Sequence, residues 1–405
     1  MKTLSLISLI LLLAQTSFAG DWQGKIEMRD GVTHIISSDT GYEPPQTMVL
    51  KELWRVGDDD SNDEEIFGFI VDIAVDNEGN CYLIDSQLSV IKVFSDEGKY
   101  LRSIGRWGAG PGEFYNPSSV LILANGSVGT VQAHPAHFVG FTKDGTPTKT
   151  ISISTEHRDG LIELINAKSL NDQFIVHGVA FSRSDGQAIE EYFFDRYDLS
   201  GQVTRPYFTY EQITDMANMI ETDRILYPLN RTRWTVDQEG NLYLAGKEYY
   251  EITVCGFEKG SRKIVSRNYK RRERTSSEMN THYQQIEHFI PAKSGVKIDI
   301  SEHDADIQSL YARDDGTLYV LTSRGLMNRP VGSCGVFDVF DQVGRFLKQV
   351  TVMGQPNPRD DGYYFIGDKF YVVTKMTSTF SRMTGLSDPD DFEPMQVVCY
   401  ELLTR

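Results

Sequence analysis

The feature that most constrains this chain is a short segment that returns. Asp76-Asn77-Glu78-Gly79-Asn80-Cys81-Tyr82 recurs as Asp237-Gln238-Glu239-Gly240-Asn241-Leu242-Tyr243 and, shortened, as Asp314-Asp315-Gly316-Thr317-Leu318-Tyr319. Looser relatives are Asn125-Gly126-Ser127, Asn171-Asp172-Gln173 and Gly367-Asp368-Lys369-Phe370-Tyr371. An apolar run precedes each copy and an alternating run follows it. Gly and Asn tolerate the positive φ of a tight hairpin, so each copy reads as a turn between two strands. Self-similar units of this kind bury their apolar faces by stacking on one another.

A second turn follows each of the first five: Asp96-Glu97-Gly98, Lys143-Asp144-Gly145, Leu199-Ser200-Gly201, Glu258-Lys259-Gly260 and Gln342-Val343-Gly344. Two strand-length runs, such as Cys81 to Asp85 and Ser89 to Ser95, fit between the turns of one unit. Each unit is therefore expected to be a four-stranded antiparallel meander, the blade of a β-propeller. The sixth unit lacks a second turn and so lacks its outermost strand. One alternating run, Met48 to Val56, stands unassigned before the first unit. If it pairs with Met395 to Leu402, the ring closes by joining its two ends and the exposed edge of the last unit is removed. The expected fold is all-β: a six-bladed β-propeller over residues 48–405, with the N-terminal strand completing the last blade, after a hairpin extension over residues 20–47.

Val71 to Phe114 resembles an NHL-type propeller repeat, and Gly105-Arg106-Trp107-Gly108-Ala109-Gly110-Pro111-Gly112-Glu113-Phe114, then Pro117, is similar to the linker between such blades. The chain as a whole resembles exported bacterial six-bladed propeller proteins in its N-terminal hairpin (Trp22 to Ser37), acidic loop before the first blade, and helical insert between the fourth and fifth. Some NHL-type lyases and related six-bladed lactonases carry a metal in the channel. The resemblance therefore implies two functions: a binding module, or a channel-site enzyme of the metal-dependent lyase or lactonase-like hydrolase kind.

Residues 1–19 read as a signal peptide. Lys2 gives the positive start, Leu4 to Leu13 is a short apolar stretch, and Ser17-Phe18-Ala19 offers small residues for cleavage before Gly20. The stretch is too short to span a bilayer. With 40 Lys and Arg against 57 Asp and Glu, the chain carries −17, and −18 once Lys2 is removed. Such a balance disfavours nucleic acid as a partner, which requires a basic footprint. The expectation is an exported, periplasmic or extracellular monomer with no transmembrane segment after cleavage. The four cysteines, Cys81, Cys255, Cys334 and Cys399, form no C-x-x-C pair. Cys81, Cys255 and Cys399 lie in strand-like runs and read as buried core residues.

Two inserts have helical spacing. Thr275-Ser276-Ser277-Glu278 is a capping box, followed by Met279, Tyr283, Ile286 and Ile290 on one face up to Pro291. Thr209 to Thr222, with Ile213, Met216, Met219 and Ile220, is the second.

Candidate functional residues follow from mapping strand ends. Loops between second and third strands, and those between blades, open on one face. Asp85, His134, His137, His177, Arg231, Arg233 and His303 map there. Arg231 and Arg233, two apart along a strand, would point the same way and attract a carboxylate or phosphate. The expected partner is thus a protein or a small polar or anionic ligand on the channel face. His134 and His137 match no established zinc spacing, so no metal ligand and no cofactor is assigned. The acidic run Asp58 to Glu65 has Asp63 where a calcium loop needs Gly, and the basic run Lys270 to Arg274 reads as solvated charge at the start of the helical insert.

Overall fold

The computed structural model describes residues 20–57, 63–154, 158–215, 220–222, 233–258, 260–290, 295–388 and 393–405. The signal peptide expectation for residues 1–19 lies outside them. The chain is all-β with few helices.

A hairpin of β1 (Gly24–Arg29) and β2 (Val32–Ser37) comes first, then the long strand β3 (Gln46–Val56). Four strands make the first sheet: β4 (Ile70–Val75), β5 (Cys81–Asp85), β6 (Val90–Phe94) and β7 (Tyr100–Ile104). A two-residue ribbon, β8 (Arg106–Trp107) and β9 (Glu113–Phe114), leads to the second sheet. That sheet holds β10 (Pro117–Ile122), β11 (Val128–Gln132), β12 (His137–Phe141) and β13 (Pro147–Ser152). The third is built from longer strands, β14 (Leu161–Leu170), β15 (Gln173–Ser184), β16 (Gln187–Tyr197) and β17 (Val203–Asp215).

After β18 (Ile220–Thr222) come β19 (Trp234–Val236), β20 (Leu242–Ala245), β21 (Glu251–Cys255) and β22 (Arg262–Arg267). Strand β2 pairs in parallel with β22, so the N-terminal hairpin extends this sheet to six strands. Helix α1 (Ser276–Phe289) and β23 (Lys297–Asp299) follow, with β23 parallel to β18. The final sheet has eight strands. Its first half is β24 (Ile307–Ala312), β25 (Leu318–Thr322), β26 (Ser333–Phe340) and β27 (Phe346–Met353), with helix α2 (Ser323–Met327) after β25. Its second half is β28 (Gly362–Ile366), β29 (Lys369–Val373) and β30 (Val397–Thr404), with helix α3 (Met376–Met383) between the last two. Strand β3 stands beside β30, antiparallel, with Lys51 opposite Glu401 and Val56 opposite Val397. Its first residues, Gln46 to Val49, also pair in parallel with β27, which fuses the two halves.

The recurring segment owes its residues to one hydrogen-bond pattern. Asp76 Oδ1 accepts from the backbone N–H of Glu78 and Asn80 (both 2.9 Å), while Asn80 Nδ2 and Tyr82 OH donate to Oδ2 (3.0 and 3.2 Å). Asp237, Asn241 and Tyr243 repeat it, with Asn241 N–H on Oδ1 (2.8 Å) and Asn241 Nδ2 and Tyr243 OH on Oδ2 (2.8 and 2.9 Å). Gly79 and Gly240 supply the positive φ between (both 84°).

The first strands of the sheets stand side by side around one axis. Val120 N–H of β10 donates to Asp72 of β4 (3.2 Å). Ala167 N–H of β14 donates to Ser119 Oγ of β10 (2.8 Å). Trp234 Nε1 of β19 donates to Asn166 Oδ1 of β14 (2.9 Å). Tyr364 OH of β28 donates to the Val71 carbonyl of β4 (3.4 Å), and Tyr311 of β24 meets Phe365 of β28 edge-on at 5.0 Å. Between neighbouring sheets lie buried rings such as Phe94, Phe114, Phe141, Phe174 and Phe340, each worth about 1.5–3 kcal/mol by burial alone.

Several expectations change. The described residues of Thr209 to Thr222 are strand, not helix: Thr209–Asp215 continues β17 and pairs with β16 up to Asp215 opposite Gln187, and Ile220–Thr222 is a strand, while residues 216–219 lie outside the described residues. Tertiary pairing overrides the helical spacing of its apolar residues. The capping box at Thr275 is present, with Thr275 Oγ1 accepting from Glu278 N–H and Glu278 accepting from Thr275 N–H. Pro291 lies outside the described residues. All four cysteines are buried free thiols in strands β5, β21, β26 and β30.

Candidate functional site

Within each four-stranded unit, the first-to-second and third-to-fourth turns fall at one end. The second-to-third loops and the links between units fall at the other. The first end is a face of tight turns. The second, the connection face, carries the long loops, α1, α2 and α3.

Asp85 ends β5 on the connection face and is buried. Its carboxylate accepts three backbone N–H groups: Gly68 (2.6 Å), Phe69 (3.2 Å) and Leu88 (2.9 Å). Lys92 beside it donates to the carbonyls of Glu64 and Ile66 (2.6 and 2.7 Å). Burial lowers the Lys92 ammonium pKa, against the pull of Asp85. The two charges together fix the loop leading into β4. Asp63–Glu65 of the acidic run form a single 3-10 turn there, and residues 58–62 lie outside the described residues.

His134 and His137 flank the loop between β11 and β12. Nδ1 of His134 lies 3.3 Å from the Ile162 carbonyl, and Nδ1 of His137 lies 3.1 Å from that of Pro135. A carbonyl only accepts, so Nδ1 carries the proton in both rings and the neutral form leaves Nε2 as an acceptor. His137 lines a cavity of about 440 Å³ between the 109–115 linker and strands β12 and β13. Tyr115, Gln132, Pro135 and Lys149 line it too. Of the six described residues singled out in the sequence, His137 alone belongs to this cavity.

His177 is not at a strand end. It lies in the middle of β15, opposite Asn166 and Phe194. It falls mid-strand because β15 runs on to Ser184. The ring stacks on Phe194 (centroids 4.3 Å apart, planes 4° apart) and meets Trp234 edge-on at 6.2 Å. Arg233 precedes β19 rather than lying within a strand with Arg231. It donates to the carbonyls of Gly246 and Lys247 and so ties down the loop between β20 and β21. Arg231 lies outside the described residues. His303 forms an isolated antiparallel bridge with Glu273 ahead of β24. The basic run beside it is paired rather than merely solvated. Arg271 Nε reaches Asp306 (3.2 Å), Arg272 bridges Asp304 and Glu278 (2.6 and 2.7 Å), and Arg274 holds Asp304 (2.7 Å). These bonds and those from Thr275 pull the Glu278 carboxyl down to about 2 against its partial burial.

Sequence mapping missed the inner wall. Lys168 on β14 and Asp72 on β4 line it, and the Lys168 ammonium lies 5.6 Å over the Trp234 ring. The available signal was a lysine in the strand-length run Leu161 to Leu170. Among the described residues no three His, Cys, Asp or Glu side chains group closely enough to hold a metal ion, and no helix is long and apolar enough to cross a membrane.

A family model described as a 6-bladed beta-propeller matches residues 60–220. No curated protein matches the chain. Among solved structures, a member of the DUF4221 family from Bacteroides vulgatus is similar in fold, at 11% identity and a TM-score of 0.50 over 88% of this chain and 98% of that one. A Bacteroides fragilis protein whose name describes it as exported matches at 12% identity over 87% and 99% of the two chains, TM-score 0.49. A calcium-binding regucalcin from Agrobacterium tumefaciens gives 11% identity over 89% and 97%, TM-score 0.42. The fold is a β-propeller.

Proposed function

We propose that this chain is an exported six-bladed β-propeller of the NHL-like kind that acts as a binding module, with its partner on the connection face. In this layout the units beginning at β4, β10, β14, β19, β24 and β28 are the blades, and β3 is the outer strand of the last one. Removal of residues 1–19 would leave Gly20 at the N-terminus in the periplasm or outside the cell.

The observation that supports the reading is an asymmetry of exposed apolar side chains. Ile66, Leu88, Trp107, Tyr249, Val331 and Met383 all lie on connection-face loops or helices and are exposed, Trp107 by 72% and Val331 fully. Clustered exposure of large apolar side chains marks interaction surfaces. Asp85 and Lys92 hold the loops that present Ile66 and Leu88, and Arg233 holds the loop of Tyr249. His134, His137, His177, Arg231 and His303 remain the candidates for polar contacts, with His137 beside the cavity best placed for a small polar or anionic ligand.

A photo-reactive phenylalanine analogue at Trp107 or Leu88, compared with one at Phe257 or Val343 on the turn face, tests this in the native host. Discrete adducts from the first pair alone are expected. Adducts of equal yield from both faces, or none from the connection face, would overturn it.

A further inference from the structure

The outer rim of the molecule is made of the last strand of each sheet, and most of those strands are shaped against further pairing. Strands β7, β13 and β17 each carry an extra residue against the strand inside them, as does β3 against β30. Pro147 and Pro206 also interrupt β13 and β17. Bulges and prolines on an outer strand block edge-to-edge association. Strand β1 has neither device. Its six residues pair with β2 without a shift and include no proline. Among the described residues nothing pairs with its other edge.

The hairpin fixes which backbone groups that edge offers. The Gln23 carbonyl accepts from Ser38 N–H (2.8 Å), and Asp30-Gly31 closes the turn at positive φ (48° and 79°). Antiparallel pairs alternate between bonded and unbonded positions, so Lys25, Glu27 and Arg29 bond inward to β2. Gly24, Ile26 and Met28 therefore turn their N–H and C=O groups outward. Ile26 and Met28 are also 56% and 67% exposed. Their side chains share one face of the strand, and Lys25, Glu27 and Arg29 share the other.

We propose that β1 pairs antiparallel with β1 of a second copy of this chain, Ile26 opposite Ile26, joining two six-stranded sheets into one. Charge selects the register. With Ile26 on the two-fold axis, each Lys25 stands opposite Glu27 of the other copy, and Gly24 stands opposite Met28. An axis through Glu27 would oppose Glu27 to itself and Lys25 to Arg29, and an axis through Lys25 would oppose lysine to lysine. Like charges so placed repel. An axis through Gly24 or Met28 runs half the contact off the end of the strand. The contact uses the outer rim, not the connection face.

Sedimentation equilibrium of the purified protein tests this. A strand pair is smaller than a standard interface, so a reversible dimer with a Kd on the order of 0.1 mM is expected. Ile26→Pro removes an N–H that points away from β2, so it should weaken the dimer about tenfold or more and leave the thermal midpoint in place. Lys25→Glu should weaken it about fivefold, and the double variant Lys25→Glu, Glu27→Lys should restore it. Lys297→Glu, which makes the same change in net charge at an exposed position on β23, should leave it intact. A protein that stays monomeric at about 1 mM would overturn the contact, as would a dimer indifferent to Ile26→Pro. A double variant no better than Lys25→Glu, or an equal loss in Lys297→Glu, would overturn the register.

Discussion

The first and third sheets follow the same path and are held in different ways. Strands β4 to β7 have five or six residues each, and their geometry rests on local turn chemistry: Asp76, Asn80 and Tyr82 at one turn, Ser95 and Gly98 at the other. Strands β14 to β17 have 10 to 13 residues and lack that Asp-Asn-Tyr set. Pairing length and a buried ion group replace it. Arg158 inserts between Glu191 and Asp195 (2.8 and 2.7 Å), with its guanidinium 3.9 Å over the Phe193 ring. The short strands lean on the Asp-Asn-Tyr turn, whereas the long strands, with Asp198 closing their outer turn, also need an interior charge neutralised.

The sharpest break in this comparison is Arg158→Met. It removes the Arg158 ion pair of the fully buried Asp195 and should cost about 3–5 kcal/mol, read as a lower urea midpoint. Hydrogen exchange should rise in β14 to β17 and not in β4 to β7; a uniform rise would show that the two sheets open as one.

Trp54→Ala comes next. Trp54 on β3 is 8% exposed and donates from Nε1 to the Asp96 carbonyl at the outer turn of the first sheet (2.9 Å). A loss of about 3 kcal/mol is expected, and β4 to β7 should exchange faster while β14 to β17 stay protected. Asp76→Ala should cost about 1–2 kcal/mol, and Asp172→Ala, at the corresponding turn of the third sheet, less than about 0.5 kcal/mol by chemical denaturation. Equal costs would remove the distinction between the two sheets.

The smallest effect is in pH. Burial alone would raise the Asp76 carboxyl, but the bonds from Asn80 and Glu78 hold it below its ordinary value of 3.8. A carboxyl lowered by folding stabilises fully above its unfolded pKa and loses that contribution as pH falls through the folded value. The stability gap between the wild type and Asp76→Ala should therefore stay flat around neutral pH and close on acidification. A gap that widens in acid would contradict this sign.

The turns were legible because their residues are required locally: a positive φ at Gly79 and an acceptor at Asp76 cannot be supplied from elsewhere in the fold. The unpaired run Met48 to Val56 was legible by subtraction, and its antiparallel partner is β30. The parallel addition of β2 to β22 left no local mark, since an outer strand with Ile35 inward looks the same wherever it docks. Thr209 to Asp215 misled because pairing along the 11-residue β16, not periodicity, decides this segment. His177 was displaced for the same reason. Asp85 was read from its position at a strand end, which shows where a carboxylate sits but not that three backbone N–H groups already occupy it. Lys168 was hidden because an inner-strand lysine reads as surface charge until its neighbours are placed.

The pairing of β3 with β30 has a consequence for biosynthesis. Lys51 and Glu401 bond to each other across 350 positions of sequence. The ribosome therefore delivers β3 long before its partner, and a contact so distant in sequence forms slowly. Until β30 is made, β3 keeps one edge open. A product that stops before Val397 has no β30 to pair with β3.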